Sequence, residues 1–94
     1  MRGKKVTHNP QIVSRLIDSQ WVLLERDHAH VRQLNGSAGL IWSLTKKPIS
    51  LDSLARKFRA VYNISPDIAG ADVREFVEAY LREGLLIEAP DKKG

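Results

Sequence analysis

Apolar and polar positions in the first third of the chain alternate in short runs, and the spacing then turns helical. Residues 11–17 hold Ile12, Val13, Leu16 and Ile17 around Ser14 and Arg15, a β-branched, partly alternating run that predicts a strand. Asp18, Ser19 and Gln20 supply turn chemistry, and residues 21–25, opening with Trp21, Val22, Leu23 and Leu24, predict the returning strand of a hairpin. After a second polar break at Arg26, Asp27 and His28, residues 29–34 alternate again and predict a short third strand. Its mixed polarity suits a sheet edge, where the outer backbone N–H and C=O groups lack partners.

From Asn35 onward the period changes. Asn35 is placed to cap a helix in which Leu40, Ile41 and Leu44 form one buried face, with Trp42 near its border. Ala38 and Gly39 are small enough to let another element approach closely, and Pro48 ends the helix by driving Lys47 out of helical geometry. Ser50 is the next cap, with Asp52 in the first turn where the helix dipole favours negative charge. Leu51, Leu54, Ala55, Phe58, Val61 and Tyr62 then keep helical spacing, while Arg56, Lys57 and Arg59 fall largely off that stripe. Residues 63–67 break the pattern. A last helix starts between Pro66 and Asp72, carries Val73, Phe76, Val77, Tyr80 and Leu81 on its apolar face, and stops at Gly84, a natural left-handed C-cap. Residues 85–88 add a short extended tail.

Strands followed by three helices in 94 residues predict an α+β fold that is winged helix-turn-helix-like: a three-stranded antiparallel sheet followed by a three-helix bundle. The expected division is a flexible basic N-terminus over residues 1–10, one binding domain over 11–88, and a flexible C-terminus over 89–94. A chain of this size buries roughly 60–65% of its unfolded surface, enough for one core.

Composition narrows the partners. The formal net charge is +4, yet Arg2, Lys4, Lys5, Lys92 and Lys93 against Asp91 account for all of it. Residues 6–90 hold ten basic and ten acidic side chains, so the foldable part is not basic. With no cysteine there is no disulfide framework and no thiolate zinc site, which fits a reducing cytoplasm. No apolar run follows the basic start as a signal peptide requires, and the longest, Trp21 to Leu24, is far too short to span a bilayer. The expectation is a cytoplasmic protein with no membrane partner and no cofactor.

Two motifs carry a resemblance. Leu34 and Asn35 precede a helix containing Ile41 and Trp42, and Asp72 and Val73 are followed at fixed spacing by Phe76, Leu81, Gly84, Leu85 and Leu86. In their order and spacing, over roughly residues 11–88, these motifs resemble those of the PqqD-like family, the leader-peptide-binding domains (RiPP recognition elements) of peptide-modification pathways. The resemblance implies a three-stranded sheet packed on three helices. It also implies binding of the leader of a ribosomally made precursor peptide, and its delivery to a modifying enzyme such as a radical maturase or a lasso-peptide protease or cyclase. Where the family commonly has an Asp-Gly turn after the first helix, this chain has Lys46, Lys47 and Pro48. It does not closely match the pyrroloquinoline quinone member, and that pathway is not assigned.

An extended peptide can pair with an exposed strand edge through main-chain hydrogen bonds, leaving specificity to pockets beside that edge. The expected peptide-binding edge is His30, Val31, Arg32, Gln33 and Leu34, with the last helix as the opposite wall. Asp72, Glu75, Phe76 and Ala79 lie along one side of that helix at spacings of three or four. Phe76 offers an apolar anchor site, Ala79 leaves room for a peptide side chain, and the acids meet polar or basic groups. The plainer readings are that Phe76 is core, that Asp72 only complements a helix dipole, that Glu75 and Glu78 form a solvated face, and that Trp21 and Trp42 are packing residues. The same edge could pair with a second copy in a homodimer.

A winged-helix DNA-binding transcriptional regulator is the alternative. Against it, Asp72, Glu75, Glu78 and Glu83 oppose only Arg74 and Arg82 on the helix that would enter the major groove. The connection over residues 63–70 is also longer than the usual turn of about three or four residues. The basic cluster Lys46, Lys47, Arg56, Lys57 and Arg59 lies elsewhere, as a docking site for a partner or as solvated surface. An enzyme is not expected. His28 and His30 stand two apart with His8 distant, a weak metal pattern, and no phosphate loop or nucleophile elbow is present.

Overall fold

The computed structural model describes residues 4–25, 30–34 and 36–89. The elements are β1 (Lys5–His8), β2 (Val13–Ile17), β3 (Gln20–Leu24), β4 (Val31–Leu34), α1 (Gly36–Leu44), β5 (Ile49–Ser50), α2 (Leu51–Tyr62), α3 (Pro66–Arg82) and β6 (Leu86–Glu88). The three strands read from the alternating segments are β2, β3 and β4, and they form one antiparallel sheet in the order β2-β3-β4. Its first connection is a two-residue hairpin turn. Asp18 and Ser19 take φ of 50° and 67°, both positive as the right-handed strand twist demands of a tight turn, and Ile17 lies opposite Gln20. That turn fixes the register. Leu23 pairs with Ser14 and Arg32, and Trp21 with Leu16 and Leu34, on the face turned to the helices. Val13, Leu24 and Val31 form a row on the outward face.

A second sheet, β5-β1-β6, lies outside the expected architecture. The segment expected to be a flexible N-terminus is instead a central strand over Lys5–His8, paired with Ile49 and Ser50 on one side and with Leu86, Ile87 and Glu88 on the other. Val6 is 2% exposed. One buried valine between lysines, a threonine and a histidine leaves no alternating signature, and its partners stand far along the chain. The extended tail read at residues 85–88 is the strand that meets it. Residues 90–94 of the expected flexible C-terminus lie outside the described residues.

The helices follow their caps. Ser50 Oγ accepts from Ser53 N at 3.1 Å, and Asn63 closes α2 in left-handed geometry with its N–H on Arg59 O at 2.7 Å. Ser65 caps α3, with Oγ accepting from Ile68 N at 3.3 Å and Pro66 at the first helical position. Gly84, with φ of 80°, follows the C-cap of α3 as expected. The Asn35 cap expected for α1 lies outside the described residues. Leu54 and Phe58 bury the stripe of α2, whereas Val61 and Tyr62, read as part of it, are exposed.

One core joins the layers: Leu23 and Leu34 from the sheet, Ile41 and Trp42 from α1, Leu54 and Phe58 from α2, Val73, Val77 and Tyr80 from α3, and Leu85 and Leu86. Trp42 is fully buried at the centre of the α1 face rather than near its border. It stacks on His8 with ring centroids 3.6 Å apart and meets the edge of Tyr80 at 6.5 Å. Gly39 provides the close approach expected of it: a Cβ there would stand 3.4 Å from the Leu34 carbonyl oxygen and 3.8 Å from the Trp21 ring.

Candidate functional site

β4 is an edge strand of the β2-β3-β4 sheet. The period of two divides its side chains between faces. Val31, 65% exposed, and Gln33 point outward, while Arg32 and Leu34 point toward the helices. Gln33 Nε2 donates to Gln20 Oε1 across the hairpin at 2.8 Å. Leu34 is 4% exposed and belongs to the core, so only its backbone is placed to serve an edge. His30, just before the strand, is exposed, and its carbonyl accepts from Glu25 N at 2.9 Å. Its companion His28 lies outside the described residues.

On α3, Asp72 and Glu75 are exposed, and Phe76 and Ala79 are half-buried. Phe76 packs edge-to-face on Tyr80 with centroids 5.9 Å apart, so it is at once the rim of the core and an accessible apolar surface. The opposite side of α3 faces elsewhere: Arg74, Val77, Glu78 and Leu81 line a cleft with Lys4, Val6, Leu51 and Glu88.

Arg32 brings the strand and the helix together. Its Nε donates to Glu25 Oε2 at 3.0 Å, and its Nη1 pairs with Glu83 Oε1 at 2.7 Å, just past the end of α3. Burial pulls the Arg32 guanidinium down, but the hydrogen bond to Glu25 and the charges of Glu83 and Glu25 outweigh it and hold it above its ordinary value. Burial pushes the neighbouring Tyr80 hydroxyl up, opposed by Arg32 and reinforced by Glu83. Of the residues expected at the site, Arg32 reaches the end of α3 through Glu83, Phe76 packs on Tyr80, and Asp72, Glu75 and Ala79 lie along the same helix. Glu25, Tyr80 and Glu83 were not read as members of this region. The spacing carried a signal for Glu83, which continues the stripe of Asp72, Phe76 and Ala79 by a further step of four.

Among the described residues no group of three or more His, Asp or Glu side chains is placed to hold a metal ion. Among the same residues no helix is long and apolar enough to cross a membrane. The α2–α3 connection is only Asn63, Ile64 and Ser65. The long connection counted against DNA binding is therefore not there: the Ser65 cap and Pro66 start α3 earlier than its apolar stripe does. The acidic surface of α3 still counts against that reading.

A family model described as Coenzyme PQQ synthesis protein D (PqqD) matches residues 20–86. The chain belongs to the PqqD family. The match takes in β3, β4 and all three helices, so both the sheet edge and the α3 stripe lie inside the PqqD unit, while β1 and β2 lie outside it. Among solved structures, that of TbiB1 in complex with the TbiA(beta) leader peptide has a TM-score of 0.78 and 25% identity, covering 90% of this chain and 99% of that one. The PqqD-like fold is thus seen over most of the chain, in two antiparallel three-stranded sheets and three helices. No curated protein matches the chain.

Proposed function

We propose that the chain is a non-catalytic leader-peptide-binding protein that takes up the leader of a ribosomally made precursor by strand addition on β4 and presents the precursor to a modifying enzyme. The observation that carries this reading is an edge strand facing a helix whose half-buried Phe76 and Ala79 are flanked by acids, with Arg32 tying the two walls together. PqqD-family membership and the leader complex of TbiB1 support it.

The dimensions suit an extended peptide. From Asp72 to Glu83 the helix rises about 16 Å, which matches about five residues of extended chain. Main-chain hydrogen bonds to β4 supply affinity with little sequence demand, and the α3 wall supplies selection. Phe76 offers an apolar contact over Tyr80, and Ala79 leaves space beside it. Asp72, Glu75 and Glu83 favour a leader with basic or neutral polar side chains on that flank. The modifying enzyme would be of the radical-maturase or lasso-peptide protease or cyclase kind. A second copy pairing through β4 would compete with the leader for the same edge.

The test is a fluorescence-anisotropy titration of the labelled leader of a candidate precursor chosen from the genomic neighbourhood, with random duplex DNA in parallel at two salt concentrations. Saturable leader binding is expected, and Phe76→Ala or Ala79→Arg should weaken it by roughly tenfold or more. Unchanged affinity in those variants would displace the groove from this location. Tight, salt-sensitive DNA binding without leader binding would favour the regulator reading, for which the three-residue α2–α3 turn is the supporting observation.

A further inference from the structure

The turn between α1 and β5 carries two adjacent lysines on a backbone fixed from several sides. Thr7 Oγ1 donates to Thr45 O at 3.1 Å and to Lys46 O at 3.3 Å, and His8 N donates to Thr45 O at 3.2 Å. The Thr45 side chain is itself fully buried, with Oγ1 donating to Ile41 O and Trp42 O, both at 3.0 Å. Just beyond, Ile49 and Ser50 pair with β1. A cleft of about 550 Å³ opens over this turn, and Lys5, Lys46, Lys47 and Lys57 line it together with Pro48 and Ile49. Arg56 is held beside it by Ser53 Oγ at 3.2 Å.

Among the described residues no carboxylate lines this cleft, and Asp52 in the first turn of α2 is outside it. None of the four lysines makes an ion pair among the described residues. Three of the four, Lys46, Lys47 and Lys57, lie within residues 6–90, which carry no net charge, so this concentration of cations is a segregation. The balancing acids Asp72, Glu75, Glu78 and Glu83 sit on and just past α3. A one-signed cleft on a fixed backbone attracts an oppositely charged surface from a distance and orients it on arrival.

We propose that this basic cleft docks an acidic protein surface, that of the enzyme receiving the leader; the identity of that partner rests on the leader-binding reading. Charge complementarity selects the partner class. Duplex DNA fits less well, because a helix-turn-helix approach would press the acids of α3 toward phosphates while the lysines stood on a different part of the surface. The cleft shares no residue with β4 or with the α3 stripe, so leader and enzyme can be held at once.

The test measures binding of the chain to a purified candidate peptide-modifying enzyme chosen from its genomic neighbourhood, by calorimetry at low and high salt, with leader anisotropy and random duplex DNA as parallel arms. The triple charge reversal K46E/K47E/K57E should weaken enzyme binding by at least about tenfold while leader affinity stays within about twofold. Raised salt should weaken the wild-type complex. Retained leader affinity also reports that the variant is folded. Equal enzyme binding by variant and wild type, no enzyme binding by either, or loss confined to duplex DNA would each overturn the docking site. Loss of enzyme binding on reversal with no leader binding by the wild type would uphold the docking site and sink the leader reading instead.

Discussion

The two three-stranded sheets are made in different ways and left in different states. In β2-β3-β4 each strand pairs with its neighbour in sequence, and the sheet ends on β4, an edge beside α3. In β5-β1-β6 the central strand draws its partners from the middle and the far end of the described chain, and its valine is buried. Pairing of the first kind closes short loops at low entropic cost, whereas the second closes longer loops, spanning all three helices between β1 and β6, and costs more. The first sheet therefore presents a surface, and the second closes the molecule and fixes the turn that carries Lys46 and Lys47.

The largest test of that contrast is a charge in each sheet. Val6→Asp places a carboxylate at the buried centre of β5-β1-β6 and should destabilise the protein by about 3–5 kcal/mol. Val31→Asp, on the exposed outward face of β4, should stay within about 0.5 kcal/mol of wild type. Urea unfolding measures both, and similar losses would erase the distinction.

A smaller effect separates the sheets by pH. His8 on β1 stacks on Trp42, and its Nε2 meets the Trp42 carbonyl oxygen at 2.7 Å, a contact that requires the proton on Nε2. Burial lowers its pKa below the ordinary 6.5, the Trp42 carbonyl opposes this, and Lys46 adds to it. The unfolded chain therefore binds the proton more readily. This contribution to stability is complete above the unfolded value and is lost as pH falls through the folded one. Unfolding free energy should drop between about pH 7.5 and pH 5 by more in wild type than in His8→Gln, which keeps a donor but does not titrate. Parallel pH curves for the two proteins would remove His8 as the cause.

The smallest expected change lies in the hairpin turn. Ser19 sits at φ of 67°, where a side chain is strained, so Ser19→Gly should stabilise by about 0.5–1 kcal/mol with strand register unchanged. A thermal melt checks the stability, and cross-strand contacts between Leu16 and Trp21 check the register.

The same contrast explains what was legible in the sequence. The hairpin strands and the cap at Ser50 are local, and each announces itself through alternation or a serine before a helical period. β1 does not, because a strand held by remote partners needs only Val6 to be apolar. The helix boundary at Pro66 was readable from the Ser65-Pro66 pair but hidden by Ala69, Gly70 and Ala71, which carry little periodicity. The edge position of Arg32 and the shared helix side of Phe76 and Ala79 follow from edge polarity and helical spacing. Glu83 could not be joined to Arg32, since an ion pair between a strand and a distant helix end leaves no mark on either segment. Trp42 was read at a border because its burial depends on His8 stacking from β1, the element that alternation did not reveal.

The pairing of Val6 with Glu88, and the 2.8 Å hydrogen bond from Ala89 N to Lys5 O, mean that the chain enters and leaves the fold side by side. A domain or label joined before Lys5 or after Ala89 therefore emerges at one place, so the two ends are interchangeable points of attachment. A short linker across that gap would close the backbone into a ring. Reopened between Asp18 and Ser19, the ring would give a permuted chain with the same strand neighbours, in which β5-β1-β6 gains a local connection and β2-β3 loses its own.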